Sequence, residues 1–462
     1  MRTCKMNLMI CAVLLLLSAG CGRSGNDHNP HRPPASPSSG PSAPSAPTET
    51  AVPSSPSAVP SAPGSSTPAD LPGIDPALES RIARTMENMS LEEKIGQMLI
   101  TSFSGTRMTR KTRQLIETKH IGGFILFSAN LKDGLQPSVA LLNELKTANR
   151  NQPVPLFLSV DQEGGRVSRL PDAFRKMPPA QTVGQTHDPR LAEQMGVLIA
   201  HQLQALGFNM NFAPVLDVAS NPDNKVIGNR SFDANPELVA AMGTAMMDGL
   251  RSGGIIPVIK HFPGHGDTSA DSHVELPVLH KTADQLAQQE LLPFRHAIQS
   301  GAEAVMVAHI LFPAIDPDSP SSLSKAMING LLRDKLGFEG VVITDDLAMG
   351  AIARHYGMAE AALRAIEAGG DLVLISDAKA VGEIHARLLN EVHRGQLSED
   401  RIDESVKRIL RLKFRYNLQD VPREAPVADG LGNAAVDQWF RQLEQAQSRG
   451  HAQPRSTADP DD

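Results

Sequence analysis

The stretch from Lys260 to Pro277 reads Lys-His-Phe-Pro-Gly-His-Gly-Asp-Thr-Ser-Ala-Asp-Ser-His-Val-Glu-Leu-Pro, gathering Lys260, His261, His265, Asp267, Asp271 and His273 into one segment. So many titratable groups are costly to bury, and a loop held at the end of a rigid strand is where catalytic groups tend to sit. Two chemistries suit these residues. A metal-dependent hydrolase would take His261, His309 and Asp377 as ligands. A His-x-His pair after the first apolar run would strengthen that reading, but the chain has Thr101-Ser102-Phe103 there. Glycoside hydrolysis by the retaining route instead needs a carboxylate nucleophile and a proton donor. Asp345, directly after Val341-Val342-Ile343-Thr344, is a carboxylate at the end of a rigid run. In Asp271-Ser272-His273 an imidazole can give and take a proton near neutrality, with a carboxylate two residues away to orient it. A tethered sugar-binding protein without turnover has no need of both a nucleophile-type Asp and a His–Asp pair.

The elements that must position these groups follow a regular alternation. Apolar runs lie at Met98–Phe103, Gly123–Phe127, Leu156–Val160, Met210–Val215, Ile255–Lys260, Ala304–Ala308, Val341–Thr344 and Asp371–Ile375. Amphipathic stretches separate most of them, at Gln136–Asn149, Arg190–Leu206, Pro236–Ser252, Ala283–Ser300, Ser324–Lys335 and Met358–Ala368, and Lys379–Arg394 and Ser398–Phe414 follow the last. Ser90-Leu91-Glu92-Glu93 is a capping box opening a helix. Eight strands alternating with helices fit either a (β/α)₈ TIM-type barrel or an open doubly wound sheet. Polar groups decide between them. Asp161, Asp217, Lys260-His261, His309, Asp345-Asp346 and Ser376-Asp377 fall after the carboxyl ends of six runs. A barrel brings all such ends to one mouth, whereas an open sheet uses mainly one switch point. The expected fold is the barrel, as a single catalytic domain over residues 74–420.

The flanks carry a different signal. Arg2 and Lys5 precede an apolar run, Leu8 to Leu17, that is too short to span a membrane. Leu17-Ser18-Ala19-Gly20-Cys21 resembles the lipobox of bacterial lipoproteins, so residues 1–21 are expected to be a signal peptide and Cys21 the lipid-bearing residue. Of the three cysteines, Cys4, Cys11 and Cys21, only the last would remain, which leaves no internal disulfide. Residues 22–73 are rich in Pro, Ser and Ala and read as a disordered tether, since they cannot bury enough surface to offset their ordering entropy. About 50 residues reach ~40 Å as a coil and ~150 Å fully extended as polyproline II. The chain is expected outside the cytoplasm, anchored to a membrane in the cell envelope. Residues 421–462 read as a polar, frayed tail. A net charge of −7 argues against nucleic acid as a partner, and 4% aromatic content against broad stacking platforms.

Lys260 to Asp267 together with Asp271-Ser272-His273 resembles the signature of glycoside hydrolase family 3, in its β-N-acetylhexosaminidase (NagZ-like) branch. The resemblance extends through Asp161-Gln162-Glu163-Gly164-Gly165-Arg166-Val167-Ser168-Arg169, Asn209 to Val218, Gly228-Asn229-Arg230-Ser231-Phe232 and Thr344-Asp345-Asp346-Leu347-Ala348-Met349. It implies that Asp161 accepts from sugar hydroxyls, that Arg169 and Arg230 donate to sugar oxygens, and that Lys260 and His261 line the same subsite. It implies Asp345 as nucleophile and His273, oriented by Asp271, as acid/base, with Asp346 supporting. For Arg169 and Arg230 the competing reading is an ion pair with a loop carboxylate. His265 and Asp267 are expected to shape the loop, and Gly264 and Gly266 to let its far end move. For Asp217 and His309, support and sugar contact both remain open. The implied substrate carries terminal β-linked N-acetylglucosamine, in peptidoglycan fragments or chitin-like oligosaccharides. Phosphorolysis remains an alternative to hydrolysis. No cofactor or metal and a monomeric state are expected. With only the tail after the eighth run, a second domain is not expected to lend a carboxylate donor.

Overall fold

Strands buried on both faces read as continuous apolar runs, because neither side meets water. The computed structural model describes residues 75–269, 271–272 and 274–452. The expectations for the signal peptide (1–21), the anchor at Cys21, the tether (22–73) and the placement of His273 lie outside the described residues.

Each of the eight runs forms a strand: β1 (Leu99–Thr101), β2 (Gly123–Leu126), β3 (Phe157–Val160), β4 (Met210–Asn211), β5 in two pieces (Ile256–Pro257 and Ile259–Phe262), β6 (Ala304–Val307), β7 (Val341–Thr344) and β8 (Val373–Ile375). Neighbours pair in parallel around a ring. Ile100 stands opposite Gly123, Gly123 opposite Phe157, Ser159 opposite Met210, and Met210 opposite Ile256. Ile259 pairs with Val305, and Ala304 with Val341. Single bridges extend the β4–β5 edge, Val215 to Lys260, and join β7 to β8, Ile343 to Leu372. Leu99 opposite Val373 closes the ring. The fold is therefore the expected (β/α)₈ TIM-type barrel, and an open sheet, which would leave two edges, is excluded by that closure.

The surrounding helices start where the sequence supplies caps. Ser90 and Glu93 complete the expected capping box. Asp188 and Asn235 cap helices Pro189–Leu206 and Pro236–Ser252, each with Pro in the first turn, where its missing N–H is no loss. The expected single helix over Ala283–Ser300 is two, Ala283–Gln288 and Leu291–Gln299. The physical reason is Pro293, whose ring would clash with the carbonyl of Gln289 in an unbroken helix. The stretch Ala326–Lys335 is helical as expected but wound as a π-helix.

The frayed tail is also corrected. Asn433–Ala452 is a helix, and Val436, Trp439 and Leu443 on one face of it are buried. Trp439 Nε1 donates to the Leu191 carbonyl at 3.2 Å, and Asn433 bonds Arg175 N and Ala173 O, so the segment docks beside Pro189–Leu206. Residues 453–462 lie outside the described residues.

Candidate active site

The carboxyl ends of the strands open into a cavity of about 290 Å³, lined among others by Asp161, Arg169, Arg230, Lys260, His261 and Asp345. Six residues read from the sequence as site residues thus meet at one mouth, delivered by β5 itself and by the segments after β3, β4 and β7. Apolar side chains fill the wall between them, including Phe127, Val226, Ile227 and Met349.

Charge at the mouth is organised by a residue whose role the sequence reading missed. Glu163, buried, takes Arg230 Nε on Oε2 at 2.7 Å and Nη2 on Oε1 at 2.8 Å, and Lys260 Nζ lies 2.7 Å from the same Oε1. The same ammonium reaches Asp161 Oδ1 at 2.7 Å. Burial favours the uncharged form of Glu163, yet Arg230 and Lys260 hold its carboxyl far below the ordinary range. Burial also works against the Lys260 charge, and Asp161 and Glu163 more than offset it, leaving its pKa raised. The ion pair weighed for Arg230 is therefore real, although its guanidinium still borders the cavity. Arg169 differs: its Nε is buried and has no hydrogen-bond partner among the described residues. That is a donor left over for a ligand acceptor. The only sequence signal for Glu163 was its place two residues after Asp161. Gln162 and Asn211, exchanging bonds of 2.9 Å, fix the loop that carries all three.

Asp217 has no solvent exposure and is support, not sugar contact. Its carboxylate takes His261 Nδ1 at 2.7 Å and the backbone amide of His265 at 2.7 Å. Burial raises its carboxyl, and His261 and His265 bring it below its ordinary value. Fixed in this way, His261 directs its Nε2 toward Arg230 Nη2, 3.4 Å away. The Lys260–His261 peptide bond is cis, and both side chains border the cavity.

Asp345 stays in the barrel ladder through its own amide, which donates to Val307 O at 2.9 Å. Its Oδ1 accepts from the Asp346 amide at 2.9 Å. Burial pushes the carboxyl up, but His261, His309, that amide and Lys260 together hold it below its ordinary value. Asp346 is placed otherwise. Its Oδ1 is occupied by the amides of Ala348 at 3.0 Å and Ser376 at 2.9 Å, and burial raises its pKa. The buried His309 ring lies 2.6 Å from Ser322 Oγ and 3.0 Å from the Asp346 carbonyl, so it braces the loop after β7.

Of the three ligands weighed for a metal, His309 has its ring fully engaged by the protein. His261 Nδ1 belongs to Asp217, and Asp377 Oδ1 takes the Lys379 amide at 3.0 Å. No group of three metal-ligating side chains occurs among the described residues.

In the loop after β5, His265 and Asp267 are both tied to the protein, with His265 also on the cavity wall. His265 is buried between hydroxyls, and Asp267 pairs with Lys281 at 2.7 Å. Gly264 and Gly266, expected to let the far end of the loop move, sit at close contacts. A Cβ on Gly266 would stand 1.7 Å from Val218 O, and one on Gly264, at φ +129, would stand 2.7 Å from Glu290 Cβ. These glycines permit the close approach of the loop to Val218 and Glu290. Asp271 sits in a turn whose carbonyl accepts from Val274 at 2.9 Å and Glu275 at 3.0 Å, and Ser272 borders the cavity.

Comparison with known proteins gives this geometry a family. Residues 90–412 match the model of the glycosyl hydrolase family 3 N terminal domain. A beta-hexosaminidase of Nitrosomonas eutropha is 39% identical over 285 residues, covering 60% of this chain and 80% of that protein. Beta-hexosaminidase LpqI of Mycobacterium tuberculosis is 37% identical over 345 residues, 70% of this chain and 83% of that one. The structure of a glycoside hydrolase family 3 beta-N-acetylglucosaminidase from Paenibacillus sp. str. FPU-7 superposes with a TM-score of 0.73 at 41% identity, covering 78% of this chain and 68% of that one. The chain belongs to glycosyl hydrolase family 3.

Proposed function

We propose that this glycoside hydrolase is a retaining exo-β-N-acetylhexosaminidase that releases terminal β-linked N-acetylglucosamine. The observation that carries this reading is Asp345: a carboxylate bordering the cavity, fixed by the barrel ladder and held in its charged form. Asp345 attacks the anomeric carbon, a glycosyl ester forms on it, and the glycosidic oxygen leaves with a proton from His273. Asp271 orients that imidazole. In the second half-reaction His273 removes a proton from water, which displaces Asp345. Asp161 and Arg169 hold sugar hydroxyls, with Lys260, His261 and Arg230 beside them. Arg169 supports the sugar contact, since its buried Nε lacks a hydrogen-bond partner among the described residues.

The substrate we infer is a peptidoglycan fragment or a related oligosaccharide, met in the cell envelope by a chain anchored through lipid on Cys21 and spaced by residues 22–73. No helix among the described residues is long and apolar enough to cross a membrane. Loss of membrane partitioning in Cys21→Ala supports the anchor, and unchanged partitioning removes it.

The mechanism is tested by following an aryl β-N-acetylglucosaminide by NMR in the first minutes of reaction. Retention requires the β-anomer first; an α-anomer as first product excludes the ester. Glycosyl phosphate appearing in phosphate buffer would replace hydrolysis by phosphorolysis.

A further inference from the structure

Ser272, between Asp271 and His273 in sequence, is held from two directions. Its carbonyl accepts from the Ala351 amide at 3.1 Å, in the short helix Gly350–Ala353 that follows the Asp345-Asp346 loop. Its Oγ lies 3.0 Å from His265 Nε2. The His265 ring is itself rooted. Nδ1 lies 2.9 Å from Thr268 Oγ1, and the backbone amide donates to Asp217 at 2.7 Å. Asn224 Nδ2 donates to His265 O at 2.8 Å and to Gly266 O at 3.0 Å. Burial and the neighbouring His261 lower the ring pKa to about 4, so the imidazole is neutral near pH 7. A neutral imidazole donates at one nitrogen and accepts at the other, which suits a ring between two hydroxyls. Both nitrogens are thereby spent on the protein, and neither is left for a sugar.

We propose that His265 and Ser272 are positioning residues for the proton transfer. Their hydrogen bond, with the Ser272–Ala351 bond, sets the segment carrying Asp271 and His273 against the loop carrying Asp345. The proposal rests on the reading of His273 as proton donor. Its physical content is distance: the donor must reach the leaving oxygen while Asp345 reaches the anomeric carbon, and misplacement by about 1 Å can cost on the order of 100-fold.

The test compares two substrates on the full chain. Chitobiose has a poor leaving group that must be protonated, whereas 2,4-dinitrophenyl β-N-acetylglucosaminide departs without help. Ser272→Ala is expected to lower kcat/KM on chitobiose by roughly ten- to a hundredfold while leaving the dinitrophenyl substrate nearly unchanged. Ser272→Thr, which keeps the hydroxyl, restores most of the loss. His265→Gln, which can still meet Ser272, falls between them; if it does not fold, Ser272→Ala decides. His273→Ala, run alongside, is expected to show the same leaving-group pattern with a larger loss. If His273→Ala shows that pattern and Ser272→Ala slows both substrates equally, the positioning role is overturned and the donor stands. If His273→Ala itself slows both equally, the donor assignment falls and the proposal with it.

Discussion

Lys260 and Lys413 are both buried, at opposite ends of the barrel, with different company. Lys260, at the carboxyl ends of the strands, touches two carboxylates, Asp161 and Glu163, each at 2.7 Å. Lys413, on helix Glu399–Arg415, meets Gln97 Oε1 at 2.8 Å, Gly122 O at 2.9 Å and Pro155 O at 2.6 Å, just before β1, β2 and β3. All three of its partners are neutral, and the Phe157 ring lies 4.4 Å away. Burial lowers the pKa of Lys413 to about 7, partly offset by the charge of Asp420, whereas Lys260 is raised. One end has a charge kept by opposite charges at the border of a cavity. The other has a donor that plugs carbonyls at the floor of the core. Conserving charge is what chemistry at the mouth requires; satisfying acceptors is what the floor requires.

Breaking the charged end should have the largest effect. Glu163→Gln leaves Lys260 and Arg230 buried with too little negative charge, a loss of about 3–5 kcal/mol for a buried pair deprived of one partner. Denaturant melts should show this together with reduced turnover. A variant as stable as the parent would mean that the mouth network contributes no more than a surface pair.

Lys413→Met sharpens the comparison through pH. The unfolded chain keeps this proton up to its ordinary 10.5, while the folded chain releases it near 7, so stability climbs with pH across that interval. The slope from this one group is up to about 1 kcal/mol per pH unit. The variant should lose it and retain activity. Lys146, lowered to about 8 by burial and Arg423, keeps part of a slope of the same sign. Lys260 adds none in this window: its pKa is raised, so its contribution is fully present below 10.5 and fades only above it. An unchanged pH–stability curve in Lys413→Met would contradict the neutral-plug description.

The smallest effect is expected at Arg169, which borders the cavity but takes no part in the Glu163 network. Arg169→Lys should raise KM about tenfold, the worth of one charge-assisted hydrogen bond. The melting temperature should not move. A fall in stability with KM unchanged would make Arg169 a structural residue.

The barrel and its mouth were legible in the sequence because a strand buried on both faces is apolar until it ends, and the first polar residue marks the end. Asp161, Lys260-His261 and Asp345 were found that way. Glu163 was not, because a glutamate in a Gly-rich loop looks solvated until Arg230 and Lys260, 67 and 97 residues on, are seen to converge on it. The close contacts of Gly264 with Glu290 and of Gly266 with Val218 were not legible, because flexibility and close packing leave the same residue in the sequence. The C-terminal helix was hidden by its polar composition, although Val436, Trp439 and Leu443 already had the spacing of a buried stripe.

The central claim is that Asp345 carries the sugar. It is tested most directly by trapping the intermediate with an N-acetylglucosaminyl fluoride bearing fluorine at C5, which slows breakdown of the ester. Mass spectrometry of the digested protein should find the added sugar on Asp345. The sugar on Asp346 or another carboxylate, or no adduct together with an inverted product, would contradict the account.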